Sequence, residues 1–305
     1  MIKSSRLFSQ SMSFRQSATT EKSLYSYYLR SLTAYRDDKF AIRLNLYRTH
    51  IYIIPEIIIM DNKNIDSFPF FAETFLTDSL GRVRPTTILN SMHSAGNRHC
   101  ESRGFGSTDS LGWVIARMAL HIERTPMQKE KLRIDTWIRN LYHGFTDRCM
   151  RMIDKDGNEV ASMITTFAMI DLETRTSVDL SGDIGVAMNG CLVPDEQLAL
   201  RRIPSINRTP VEEVTFKRRP HYSDIDVNGH MNSIRYIDHI LDAMPIEYIN
   251  SHNLTDIVVA YMQEGSATEE LSYGIKEIEP DHYIVQVTKE NGVASSRFEL
   301  KFKEL

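Results

Sequence analysis

The chain has 305 residues, of which 42% are hydrophobic and 25% charged, the profile of a soluble globular protein of one large or two ordinary domains. A formal net charge of -4 excludes a global nucleic-acid binder, which would carry a basic domain. Cys100, Cys149 and Cys191 are too few and too far apart for a disulfide framework or a zinc-ligand spacing, so a reducing cytoplasm and no metal or cofactor are expected.

Residues 1–59 read differently from the rest: all 14 glycines follow them, and no period of two or 3.6 residues persists. The first twenty residues hold Lys3, Arg6 and Arg15 without an acid, in the manner of an organellar transit peptide. The apolar stretch Ile51–Met60 is broken by Pro55 and Glu56 and falls short of the roughly 20 residues a membrane span needs. We expect 1–59 to be a dispensable extension, with Met60 as an alternative start.

From Phe70 the pattern becomes regular. Asp78-Ser-Leu-Gly81 predicts a turn, Pro85 suits the first position of a helix, and Ile88, Leu89, Met92 and Ala95 give that helix one apolar stripe ended by Gly104. His93 and His99 on it are read as packing or surface histidines. Strand patterns follow over Trp113–His121 and Leu132–Ile138, then over Phe145–Ile153 and Val160–Ile170 joined through Asp156-Gly157. One long helix followed by an antiparallel sheet predicts an α+β domain over 60–172.

Residues 173–210 lose periodicity and gather glycine and proline, as a connection between domains does, with a short helix expected within Val193–Leu200. The plan then repeats over 211–305: a strand at Val214–Arg218, a helix over Met231–Met244, strands at Ile257–Met262 and Leu271–Ile278, and a hairpin through Asn291-Gly292. A repeat this long suggests two copies of one domain.

The densest stretch opens the second copy. Asp224, Asp226, Asn228, His230 and Asn232 occupy alternate positions immediately before the predicted helix. Their start mimics a calcium loop, but Arg235 stands where a bidentate Glu is required, and Pro220 breaks the helix that should enter it. A helix cap explains one such side chain, not five. The remainder suits oxyanion stabilisation, with a helix N-terminus and the Asn228 and His230 side chains as donors.

Asp226-Val-Asn228-Gly-His230-Met-Asn232, followed by Tyr236-Ile237, resembles the signature of the acyl-ACP thioesterases, and more nearly their bacterial branch. The resemblance runs from about Phe70 to the C-terminus. It implies a tandem hotdog fold, each half a long helix wrapped by an antiparallel β-sheet, and hydrolysis of fatty acyl thioesters on acyl carrier protein. A Glu on a later strand completes the family's site; Ala260-Tyr-Met-Gln-Glu264-Gly265 makes Glu264 its counterpart. Some plant members carry a Cys after that Glu, and Gly265 here argues against a Cys/His mechanism.

The implied assignment makes Glu264 a general base set against an apolar acyl tunnel, Asn228 and His230 the groups that orient water and carbonyl, and Asp226 their support. Asn232 and Trp137 are carried as substrate-binding candidates, Trp137 on the odd face of its strand being either core or tunnel lining. In the first half, Asp78 aligns with Asp224, Arg82 and Arg84 with Asn228 and His230, and Arg124 or Thr125 with Glu264, so the chemistry is placed in the second half. Lys217, Arg218 and Arg219 are read as a solvated edge or a docking patch for the acidic carrier. Nucleic acid and a membrane span are not expected, and a homodimer is left open. The competing readings are an acyl-CoA thioesterase, a hydroxyacyl dehydratase and a non-catalytic acyl-binding protein.

Overall fold

Among the described residues, period-two alternation and the Asp-Gly and Asn-Gly turns build a ten-stranded antiparallel sheet. The computed structural model describes residues 64–180, 182–193 and 198–305. The expectations for 1–59, for a start at Met60 and for residues 194–197 of the Val193–Leu200 helix lie outside the described residues, and Val193 and residues 198–200 are not helical. The strands are β1 (Asp66–Phe71), β2 (Leu111–Ile122), β3 (Lys131–Tyr142), β4 (Phe145–Ile153), β5 (Glu159–Asp171), β6 (Phe216–Arg218), β7 (His252–Tyr261), β8 (Leu271–Glu279), β9 (His282–Thr288) and β10 (Ala294–Glu304). Their order is β1-β3-β4-β5-β2-β7-β10-β9-β8-β6. Read outward from the middle, β2-β5-β4-β3-β1 and β7-β10-β9-β8-β6 are one topology used twice. Arg117–His121 of β2 pairs with Asp256–Ala260 of β7, so the two copies share one continuous sheet.

Helix α1 (Pro85–Arg103) begins on Pro85, whose missing N–H costs nothing in the first turn, and ends at Gly104 with φ +80. Thr86, Ile88, Leu89, Met92, Ala95, Gly96 and His99 form its buried stripe. Gly96 allows close approach to β4: a Cβ there would lie 2.9 Å from Arg148 Cδ. A short helix α2 (Asp183–Asn189) follows β5 and seats Met188 against Phe105 and Ile138.

The second copy departs from the helix predicted over Met231–Met244. It holds α3 (Arg235–Asp242) and α4 (Ile246–Ser251), divided at Pro245. Met231 is not helical because its amide donates to Gly265 O at 3.0 Å, a strand-like tie that holds the preceding turn against the end of β7.

One apolar cluster runs through both copies, with Met92 of α1, Met118 and Leu120 of β2, Ile257 and Val259 of β7 and Ile237 of α3 all buried in it. Each such side chain contributes about 1.5–3 kcal/mol on burial, so the copies stabilise each other rather than folding around separate cores. Among the described residues, no helix is long and apolar enough to cross a membrane.

The outer face of the sheet carries a separate cluster of Trp137, Cys149, Ile164 and Leu198, with Val193, Leu200 and Ile203 packed on it from the connecting segment. Trp137 is 1% exposed there. The reading of Trp137 as a substrate-binding residue is therefore corrected: its place on β3 turns it away from α1 and into the packing beneath the connection.

Candidate active site

The polar stretch divides into supports and exposed functional groups. Asp226 closes its own turn: Oδ1 accepts from Asn228 N at 2.8 Å and His230 N at 3.2 Å, while its backbone N donates to His230 O at 2.9 Å. The turn needs a left-handed residue, and Gly229 supplies φ +76. Asp224 is buried and points away, with Oδ2 accepting from His221 N at 2.8 Å and lying 3.1 Å from His239 Nε2. Asn232 Oδ1 accepts from Ile234 N at 2.9 Å, and its carbonyl from Arg235 N at 3.0 Å, so Asn232 closes the turn that leads into α3 while also lining the cleft. The helix thus begins beyond the turn, with the Arg235 amide already engaged by Asn232 O. Asn228 and His230 are left facing the cleft.

Glu264 lies just past the end of β7 rather than on a strand. Met262 N and Gln263 N both donate to Ser295 O, at 2.9 and 3.0 Å, and this irregularity ends the ladder and turns the chain toward the Asp226 turn. There His230 forms a backbone bridge with Ser266. The Glu264 carboxylate comes to 3.6 Å from His230 Nδ1, just beyond hydrogen-bond reach, and Nδ1 is buried with no hydrogen-bond partner. Glu264 Oε2 contacts the Arg175 guanidinium, and Lys289 Nζ donates to Glu264 O at 3.0 Å. The carboxylate is thus partly exposed beside a cation, not set in the apolar surroundings expected for it. A side chain at Gly265 would place Cβ 2.5 Å from Tyr236 Oη, which excludes a Cys there with Tyr236 as it stands.

These groups rim a cleft of about 1030 Å³ built by both copies, at the upper end of volumes typical of small-molecule sites. The second copy lines it with Asp226, Asn228, His230, Asn232, Tyr236, Tyr261 and Glu264; the first supplies Asn90, His93, Ser94 and Asn97 of α1, Trp113–Ala116 of β2, Phe167 and Ile170, and the loop leaving β5 supplies Arg175. Trp113, not Trp137, is the tryptophan at the cleft. His93, read from the sequence as packing or surface, lines it with Nε2 3.2 Å from Thr165 Oγ1. Burial, aided by the nearby Arg148 cation, lowers its pKa to about 4, so it is neutral near pH 7. His99 is fully buried under α1 with Nδ1 2.8 Å from Arg148 Nη1. Spacing along α1 could have disclosed the stripe of Asn90, His93 and Asn97, but a polar stripe on a helix ordinarily faces water. Arg175 had no sequence signal.

The turn also exists in the first copy. Asp78 Oδ1 accepts from Leu80 N and Arg82 N, and Gly81 has φ +75. Bridges Thr77↔Val83 and Arg82↔Met127 correspond to Ile225↔Met231 and His230↔Ser266. This register corrects the sequence alignment by two residues: Asp78 matches Asp226, Leu80 matches Asn228, Arg82 matches His230, and Thr125 matches Glu264. The first copy therefore lacks the imidazole, the amide and the carboxylate together.

Lys217, Arg218 and Arg219 lie outside the cleft lining. Their nitrogens stand 3.9 Å from Glu270, 3.0 Å from Asp242 and 3.7 Å from Glu290, so each cation faces an acid.

Residues 73–187 match the acyl-ACP thioesterase N-terminal domain, and residues 209–304 match the acyl-ACP thioesterase C-terminal domain. The chain belongs to the acyl-ACP thioesterase family. An acyl-ACP thioesterase from Bacteroides thetaiotaomicron is 33% identical, with a TM-score of 0.71 over 79% of this chain and 98% of that one. The 12:0-ACP thioesterase from Umbellularia californica is 17% identical with a TM-score of 0.72 over 79% and 98%, a likeness of fold: the tandem hotdog of this family. The oleoyl-acyl carrier protein thioesterase 1 of Arabidopsis thaliana, a chloroplastic protein, is 27% identical over 198 residues, 58% of this chain and 54% of its own. The chain spans about half the length of the curated relatives it matches.

Proposed function

We propose that this acyl-ACP thioesterase family member hydrolyses fatty acyl thioesters of acyl carrier protein, giving the free fatty acid and the carrier thiol. The observation that carries the reading is the meeting of Glu264, His230 and Asn228 at one cleft whose opposite wall comes from the other copy. The copy over 211–305 supplies the reacting groups, and the copy over 60–172 supplies the wall for the acyl chain. Glu264 takes a proton from water as its oxygen bonds to the thioester carbon, and the carbonyl electron pair moves onto oxygen. The Asn228 amide donates to that oxyanion and His230 orients the water, with Asp226 fixing both through its turn. Collapse breaks the C–S bond, and the leaving thiolate takes the proton back from Glu264. A thiol of pKa about 8.5 is a good leaving group, so no strong acid is required.

An acidic carrier would meet Lys217, Arg218 and Arg219 with their charges already matched, so this contact contributes weakly. The three cysteines, none of them in a disulfide, suit a reducing cytoplasm. The experiment is steady-state hydrolysis of one acyl chain presented on carrier protein and on CoA, with wild type and Glu264→Gln. We expect faster turnover on the carrier and a loss of about 10²–10³-fold in the variant. Equal rates on both thioesters would favour the acyl-CoA reading, and undiminished turnover of Glu264→Gln would remove the base.

A further inference from the structure

We propose that Arg175, on the loop that leaves β5 of the first copy, is a positioning residue for Glu264 in the second; the inference rests on Glu264 acting as the base. Glu264 is a long side chain on a loop beyond its strand, partly exposed, and His230 Nδ1 at 3.6 Å is too distant to fix it. Among the described residues, the carboxylate's one close partner is the Arg175 guanidinium, which meets Oε2. Lys289 holds only the Glu264 carbonyl and gives its charge to Glu269 at 3.2 Å. Arg175 and His230 both lie toward Oε2, so Oε1 is the oxygen left to accept a proton from water.

The loop that presents Arg175 is tightly built. Asp171 Oδ1 accepts from Glu173 N at 3.0 Å and from Thr174 N at 2.7 Å, and Arg175 N donates to Asp171 O at 2.9 Å. Arg175 itself has φ +58, a left-handed conformation that glycine would adopt without strain. An arginine held at such a position, aimed across the cleft at the carboxylate, indicates that the side chain is the reason for the loop. The pair also assembles the reacting group across the two copies.

The test measures kcat and KM on acyl carrier protein thioesters for Arg175→Ala, Arg175→Gly and Glu264→Gln, each checked by thermal melting. Arg175→Gly relaxes the backbone while removing the guanidinium, so it separates the side chain from the loop. We expect kcat to fall about 10–100-fold in both Arg175 variants, as loss of a hydrogen bond to a charged group implies, with KM within about twofold. Low-millimolar guanidinium should restore much of that loss and do nothing for Glu264→Gln. Unchanged kcat, a rise confined to KM, or a loss that guanidinium does not reverse overturns the assignment. If Glu264→Gln keeps full turnover, it is the base reading that fails, whatever Arg175 does.

Discussion

His230 and Arg82 occupy the same place in two copies of one turn, and the difference between them separates an imidazole at the cleft from a clamp. Arg82 is 8% exposed, and its guanidinium donates to Asp78 Oδ2 at 2.7 Å, His252 O and Ile249 O at 2.9 Å, and Asn253 Oδ1 at 3.2 Å. It thereby caps the carbonyls at the end of α4 and ties the first copy's turn to the start of β7. Arg82→Ala removes all four hydrogen bonds and takes the cation from Asp78 Oδ2, while Oδ1 keeps its bonds from the Leu80 and Arg82 amides, and should destabilise the chain by about 2–4 kcal/mol in urea titrations. Because Arg82 is not at the cleft, kcat of the folded variant should stay near wild type. The Asp-x-x-Gly spacing of both turns was legible in the sequence. The two-residue misalignment arose because Asp224 also precedes the second turn, and only the backbone bridges tell the turn-closing carboxylate from the buried one.

At the scale of elements, α1 was readable because Pro85, the apolar stripe and Gly104 agree with one another. The counterpart in the second copy was overextended, since Met231 and Ile234 have helical spacing while the Met231 amide is committed to Gly265 O. Hydrophobic period carries no information about such a tie. Glu264 could be matched by family likeness, yet its departure from β7 depends on two amides sharing Ser295 O, which sequence does not announce. The packing of α1 on β4 gives a sharper test. Gly96→Ala adds helix propensity of about 1 kcal/mol, but its methyl group would meet Arg148 Cδ at 2.9 Å. Arg148 cannot readily give way, for it is 3% exposed and held by His99, Thr136 and Cys100 at 2.8, 3.2 and 2.9 Å. Overpacking should win, and Gly96→Ala should lower stability by about 1–2 kcal/mol, read as a lower urea midpoint with an unchanged m-value.

For the whole molecule, duplication was visible in the repeated turns and hairpins, but the seam was not, because β2 and β7 look like any interior strands. The seam carries a titrating pair: His121 Nδ1 lies 2.8 Å from Asp256 Oδ1, its cross-strand neighbour, with Glu123 at 3.3 Å from Nε2. The hydrogen bond to Asp256 raises the His121 pKa to about 9, against the opposing effect of burial. This stabilisation is complete below the unfolded value of about 6.5 and is lost as pH rises through 9. His93 and His99 act in the opposite direction. Burial lowers them to about 4 and about 2, so below about 6.5 the unfolded chain takes up protons that the fold refuses, and stability declines with acid. The lowered Asp256 pKa adds to the acid side. Thermal stability should therefore peak near pH 6.5 and fall on both sides. His121→Gln, which keeps a donor without the charge, should flatten chiefly the alkaline limb, by about 1–2 kcal/mol between pH 6.5 and 9, and the acid limb only through the part of the Asp256 shift that His121 causes. His93→Gln should flatten only the acid limb. An alkaline limb as steep in His121→Gln as in wild type would mean that the seam's charge does not hold the two copies together.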